Sequence, residues 1–134
     1  MTSVAGDTRP VTTHDADFTV AQYRQLLRLA RGNWPLVSYE SIPFGQRFLL
    51  WRHDCDYSLN RALALARIEH EEGIRATYFI NPHCEFYHLL ERSQMDIVRE
   101  LVVLGHDVAL HFDGMFHATR DEGELVRQLE ADAS

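Results

Sequence analysis

At 134 residues the chain is long enough for one domain with a real core and too short for two independent ones. Hydrophobic residues at 46% and charged residues at 25% are ordinary for a folded protein and exclude a disordered polar chain. The formal charge of -7, with arginines scattered and no basic run, excludes a general nucleic-acid binder, because phosphate contacts need clustered cations.

The longest apolar runs, such as residues 101–104, fall far short of the ~20 residues a membrane span needs. Residues 1–17 lack the apolar core of a secretory signal, so the default expectation is a cytoplasmic protein with no membrane partner. Cys55 and Cys84 form no Cys-x-x-Cys pair, which argues against a disulfide framework or a zinc finger. Cys55 reads as a small buried residue rather than a reactive thiol.

Taken in order, residues 1–17 are polar and without periodicity and read as a flexible leader. Thr19-Val20-Ala21-Gln22 matches a capping box, with Phe18 and Tyr23 as a hydrophobic staple, and predicts a helix over 20–31. Tyr23, Leu26, Leu27 and Ala30 form its buried face, and Gly32-Asn33 stops it. Residues 36–39 suggest a short strand and 42–45 a turn.

The apolar run 48–52 predicts the first strong strand, with burial on both faces as in a parallel sheet. It ends at Asp54-Cys55-Asp56. In an extended strand the two aspartates point the same way, and His53 and Cys55 the other. Two carboxylates in one small volume suit a cation or acid/base work; the competing reading is that they simply cap the next helix. Ser58 is a good N-cap for a helix over 59–72. Its apolar face holds Leu59, Ala62, Leu63 and Ala66, while Arg67, Glu69, Glu71 and Glu72 read as solvated, and Gly73 ends it.

Residues 74–80, rich in β-branched and aromatic side chains, predict a second strand closed by Asn81-Pro82. The loop that follows carries Phe86 and Tyr87, either as pocket lining or as core cover. A helix starting near Ser93 buries Ile97, Val98, Leu101 and Leu104 and stops at Gly105. Residues 106–112 form a third strand, and 122–133 a last helix. This alternation is the rhythm of a parallel α/β fold.

In such folds ligands bind beyond the carboxyl ends of the strands, where loops converge. Asp54 and Asp56 follow the first strand, Asn81 and His83 the second, and His111 and Asp113 close the third. Of the histidines, His14, His70 and His88 read as solvated, His106 as orienting a strand start, and His111 as the candidate ligand. A carboxylate and an imidazole on a divalent ion, with a second carboxylate as base, suit activation of water for hydrolysis.

Arg52-His53-Asp54-Cys55-Asp56, then Ala62 and Leu65-Ala66, then Gly73-Ile74-Arg75-Ala76-Thr77-Tyr78-Phe79, then Gly105-His106-Asp107-Val108-Ala109-Leu110-His111 resemble, in order and spacing, the polysaccharide deacetylase family. That family shares the NodB homology domain and belongs to the carbohydrate esterases. The resemblance covers roughly residues 48–113 and implies a distorted (β/α) barrel of parallel strands alternating with helices. It implies Asp54 as catalytic base, and Asp56 and His111 as ligands of a divalent metal, usually zinc. The implied reaction removes an N-acetyl group from a carbohydrate by metal-activated water.

Two positions depart from the family pattern. The second histidine of its second motif falls on Met115, a poor ligand for a hard or borderline ion, which leaves His117, Asp113 or a residue from elsewhere as the third ligand. Cys55 stands where this branch generally has an aliphatic residue. A complete barrel needs about 200 residues or more, so residues 18–134 read as the N-terminal portion of such a domain, a partial barrel. Its apolar edges would call for self-association or a partner. The alternative is a catalytically inactive, truncated fragment serving as a binding or assembly module; a third reading is a hydrolase of a non-sugar amide.

Overall fold

The computed structural model describes residues 19–112 and 122–134. Helix α1 (Val20–Asn33) starts where the hydroxyl of Thr19 accepts a hydrogen bond from the Gln22 N–H at 3.2 Å, as the capping sequence requires. The Phe18 half of the expected staple lies outside the described residues. Strand β1 (Arg52–Cys55) leads into α2 (Leu59–Glu71), which is capped by Ser58 accepting from the Arg61 N–H at 3.3 Å. Then follow β2 (Thr77–Ile80), α3 (Arg92–Val103), β3 (Asp107–Leu110) and α4 (Glu122–Ala133).

The three strands form one parallel sheet in the order β1-β2-β3. The register places Arg52 beside Thr77 and Asp107, and Asp54 beside Phe79 and Ala109, so these six share one face. His53, Tyr78 and Val108 share the other, with Cys55, Ile80 and Leu110. That second face is where the core sits. Leu59, Ala62, Leu63 and Ala66 of α2 and Ile97 and Leu101 of α3 pack there against Cys55, Tyr78 and Ile80. The fold is therefore α/β with parallel strands alternating with helices. Among the described residues, no helix is long and apolar enough to cross a membrane.

The strands are shorter than the hydrophobic runs suggest. Residues 48–51 precede the ladder: Leu49 forms an isolated parallel bridge with Leu36, and the expected strand over 36–39 is reduced to that bridge and a 3-10 turn, Tyr39–Ser41. The ladder begins at Arg52 opposite Thr77. The aspartates thus stand differently from the sequence expectation, with Asp54 inside β1 and Asp56 beyond its end.

Helix α1 lies against α2 through charge. Arg24 pairs with Glu71 and Glu72 at 2.5 and 3.0 Å, and Arg28 reaches Glu72 at 2.8 Å. Arg31 donates to the Glu72 carbonyl at 2.7 Å. Gly73 then turns the chain with φ +71°, and a Cβ there would stand 2.6 Å from the Arg31 guanidinium.

Candidate active site at the carboxyl ends of the strands

Two of the three candidate residues meet. Asp56 follows β1 directly, in a tight turn where its N–H bonds the Asp54 carbonyl at 3.1 Å, and His111 follows β3 directly. His111 Nδ1 lies 2.7 Å from Asp56 Oδ1, although 55 residues separate them in the chain. Both side chains are partly exposed. Parallel strands bring their ends to one rim, so two sequence-distant loops can aim a carboxylate and an imidazole at one point.

Asp54 is turned to another partner. The Arg52 guanidinium, two residues earlier on the same strand face, bonds its carboxylate. Arg52 also stacks over the Phe79 ring, 4.0 Å from its centroid, and lies 3.4 Å from the Tyr39 hydroxyl. The regular alternation that puts Asp54 and Arg52 on one face ends at Cys55, so the two aspartates engage different groups. Asp113, Met115 and His117 lie outside the described residues.

A carboxylate oxygen with an imidazole nitrogen is a donor pair of the kind zinc accepts. Ligands of a tetrahedral ion with bonds of about 2.0–2.2 Å stand about 3.3–3.6 Å apart, wider than the 2.7 Å between Asp56 and His111. Among the described residues there is no group of three or more His, Cys, Asp or Glu side chains arranged to hold a metal ion.

Behind the rim lies a polar cluster that the sequence reading missed. Glu69, expected at the surface, is fully buried. It accepts hydrogen bonds from the Tyr23 and Tyr78 hydroxyls, each at 2.5 Å, and pairs with His53. The Trp51 indole N–H donates to the Tyr23 oxygen at 3.2 Å, and the His53 ring stacks on Tyr78. The signal was present: Glu69 stands three residues after Ala66 on the stripe Leu59, Ala62, Ala66, which is the buried face of α2. His106 is also buried. Its Nδ1 accepts from the Ala76 N–H at 3.1 Å, and its Nε2 donates to the Ala66 carbonyl at 2.8 Å. These two bonds assign the neutral tautomer and a structural role in tying β3 to α2 and β2. With Nδ1 already accepting, the 4.0 Å approach to Glu69 is not an ion pair.

The loops complete the rim. Cys84 Sγ donates to the Asp56 carbonyl at 3.1 Å, and the Tyr87 hydroxyl donates to the Cys55 carbonyl at 2.5 Å. The Cys55 thiol is pushed up to about 12, first by burial and then by Asp56 and Asp54, in keeping with an inert packing residue. His83 pairs with Asp132 of α4 at 2.9 Å, which fastens the last helix to the same end of the sheet.

Comparison with protein-family models, with curated proteins and with solved structures finds no match to this chain.

Proposed function

We infer that the chain is a metal-dependent hydrolase of the polysaccharide deacetylase type, which removes N-acetyl groups from a carbohydrate. The observation that carries this reading is the meeting of Asp56 and His111 at 2.7 Å, on the rim where a parallel α/β fold binds its ligands. The sequential strand order with helices on one face is also how a (β/α) barrel begins, in support of a partial barrel.

In this reading Asp56 and His111 hold a divalent cation, with zinc the best match to their donor types. The chemistry such an ion supplies is acidification of water and polarisation of a carbonyl. Asp54 takes a proton from water as the water oxygen joins the acetyl carbon. The nitrogen takes that proton back from Asp54 as the C–N bond breaks, and acetic acid, which ionises to acetate, and the free amine leave. Arg52 pairs with the Asp54 carboxylate on the same strand face and orients it.

The same Arg52–Asp54 pair favours a second reading, an assembly module without hydrolysis, because it occupies the carboxylate needed as base. Calorimetric zinc titration of the chain, beside Asp56→Ala and His111→Ala, decides first. The hydrolase reading expects 1:1 binding, at least tenfold weaker in each variant and retained in Asp54→Ala, which loses only acetate release from N-acetylated sugars. Unchanged affinity in both ligand variants overturns the site assignment. Zinc binding without acetate release favours the module.

A further inference from the structure

Two large aromatic rings stand in solvent on the same rim. Tyr57 immediately follows Asp56, and Phe86 lies in the loop after β2; they are 73% and 65% exposed. Their centroids are 5.2 Å apart with planes tilted by 44°, so they pack on each other. Single exposed apolar residues are ordinary, but two rings joined beside a candidate site form a patch.

The patch has a firm base. The Phe86 N–H donates to Cys84 Sγ at 3.4 Å, and that sulfur donates to the Asp56 carbonyl. The next residue, Tyr87, bonds the Cys55 carbonyl, while its oxygen accepts the Asn81 N–H at 3.1 Å. Both rings are thus tied through short paths to the backbone that carries Asp56. Rings with few rotatable bonds on a pinned loop lose little freedom when they bind.

We propose that Tyr57 and Phe86 form a stacking platform for a pyranose ring, which positions an N-acetylated sugar beside Asp56 and His111. This deepens the hydrolase reading above and rests on it for the choice of sugar. The axial C–H groups of a pyranose give it an apolar face that suits an aromatic surface, while its hydroxyls stay in water. The charges nearby favour a neutral ring over an anionic one, since Asp56 and Glu85 directly precede Tyr57 and Phe86 in the chain and Asp54 lies three residues before Tyr57. The pinned loop makes the platform a feature of the folded chain before any sugar arrives.

The test is NMR titration of the metal-free chain with a tetramer of N-acetylglucosamine. Variants are Tyr57→Ser, Phe86→Ser, Tyr57→Phe and, as a control on the open sheet face, Tyr39→Ser. The platform expects shifts at Tyr57 and Phe86, affinity about tenfold weaker in each serine variant, and affinity retained in Tyr57→Phe. No binding by the wild-type chain, or binding that depends on Tyr39 and not on Tyr57 and Phe86, overturns it. Ring-dependent sugar binding without zinc binding or acetate release sustains the platform and removes the hydrolase. Acetate release with KM unchanged in both serine variants does the reverse.

Discussion

Glu69 joins α1, α2, β1 and β2 through Tyr23, His53 and Tyr78. Burial alone would raise its pKa, but the hydrogen bond and charge of His53, then the two hydroxyls, outweigh burial and hold it below the usual carboxylate value. A group with a lowered folded pKa contributes stability that is fully present above its unfolded value and is lost as pH falls through the folded one. Acidification below 4.5, the ordinary value, should therefore weaken the fold, and Glu69→Gln should flatten that dependence. Glu72, brought to about 2 by Arg28 and Arg24, acts with the same sign, so the flattening is partial. Urea midpoints measured from pH 7 to 3 test this; an acid slope equal to wild type in Glu69→Gln refutes it. Glu69→Ala at pH 7 should cost about 3–5 kcal/mol, because it leaves buried polar groups without their acceptor. The thiols offer a second check. Cys55 is buried with a raised pKa, so a thiol reagent should label Cys84 and spare Cys55 until the chain unfolds.

The turn after α2 depends on a residue that tolerates positive φ. An alanine at Gly73 would carry the strain of φ +71° and push the Arg31 guanidinium from the Glu72 carbonyl, so Gly73→Ala should cost about 1–2 kcal/mol in urea unfolding. Stability equal to wild type would mean that the turn relaxes. Most helix starts and stops were readable along the chain, because caps and glycine stops act within a few residues: Thr19, Ser58, Gly73 and Gly105 serve as expected, whereas Gly32 lies inside α1 and Ser93 inside α3, whose N-cap is Glu91 without a side-chain cap bond. Strand limits were less readable. The apolar run 48–52 marks burial near the core, but a strand needs a backbone partner, and β2 supplies one only from Thr77.

One face of the parallel sheet has no helix upon it among the described elements, and parallel sheets are ordinarily covered on both. Arg52, Thr77, Phe79 and Asp107 line a groove of about 470 Å³ there, with Tyr39 and Glu40 at its edge. The Tyr39 ring meets Phe79 edge to face at 5.7 Å, which shields part of it. A partial barrel with this face open should bind a hydrophobic dye and self-associate with rising concentration in sedimentation velocity. Phe79→Ser should reduce the dye signal. A dye-silent monomer at all concentrations would count against an open half-barrel.

Local order along the chain was enough to read the alternation of strands and helices, the helix caps, and Asp56 and His111 as rim residues. Each of these follows from periodicity or from position at the end of a strand. Folding in space set the rest. It brought His111 onto Asp56, turned Asp54 to Arg52 and buried Glu69 beneath Tyr23 and Tyr78. Sequence spacing shows which face of an element a side chain occupies, whereas its partner is chosen by which other element packs on that face. A glutamate among exposed charges and one at the centre of a hydrogen-bonded core look alike until the neighbouring helix and strands are in place.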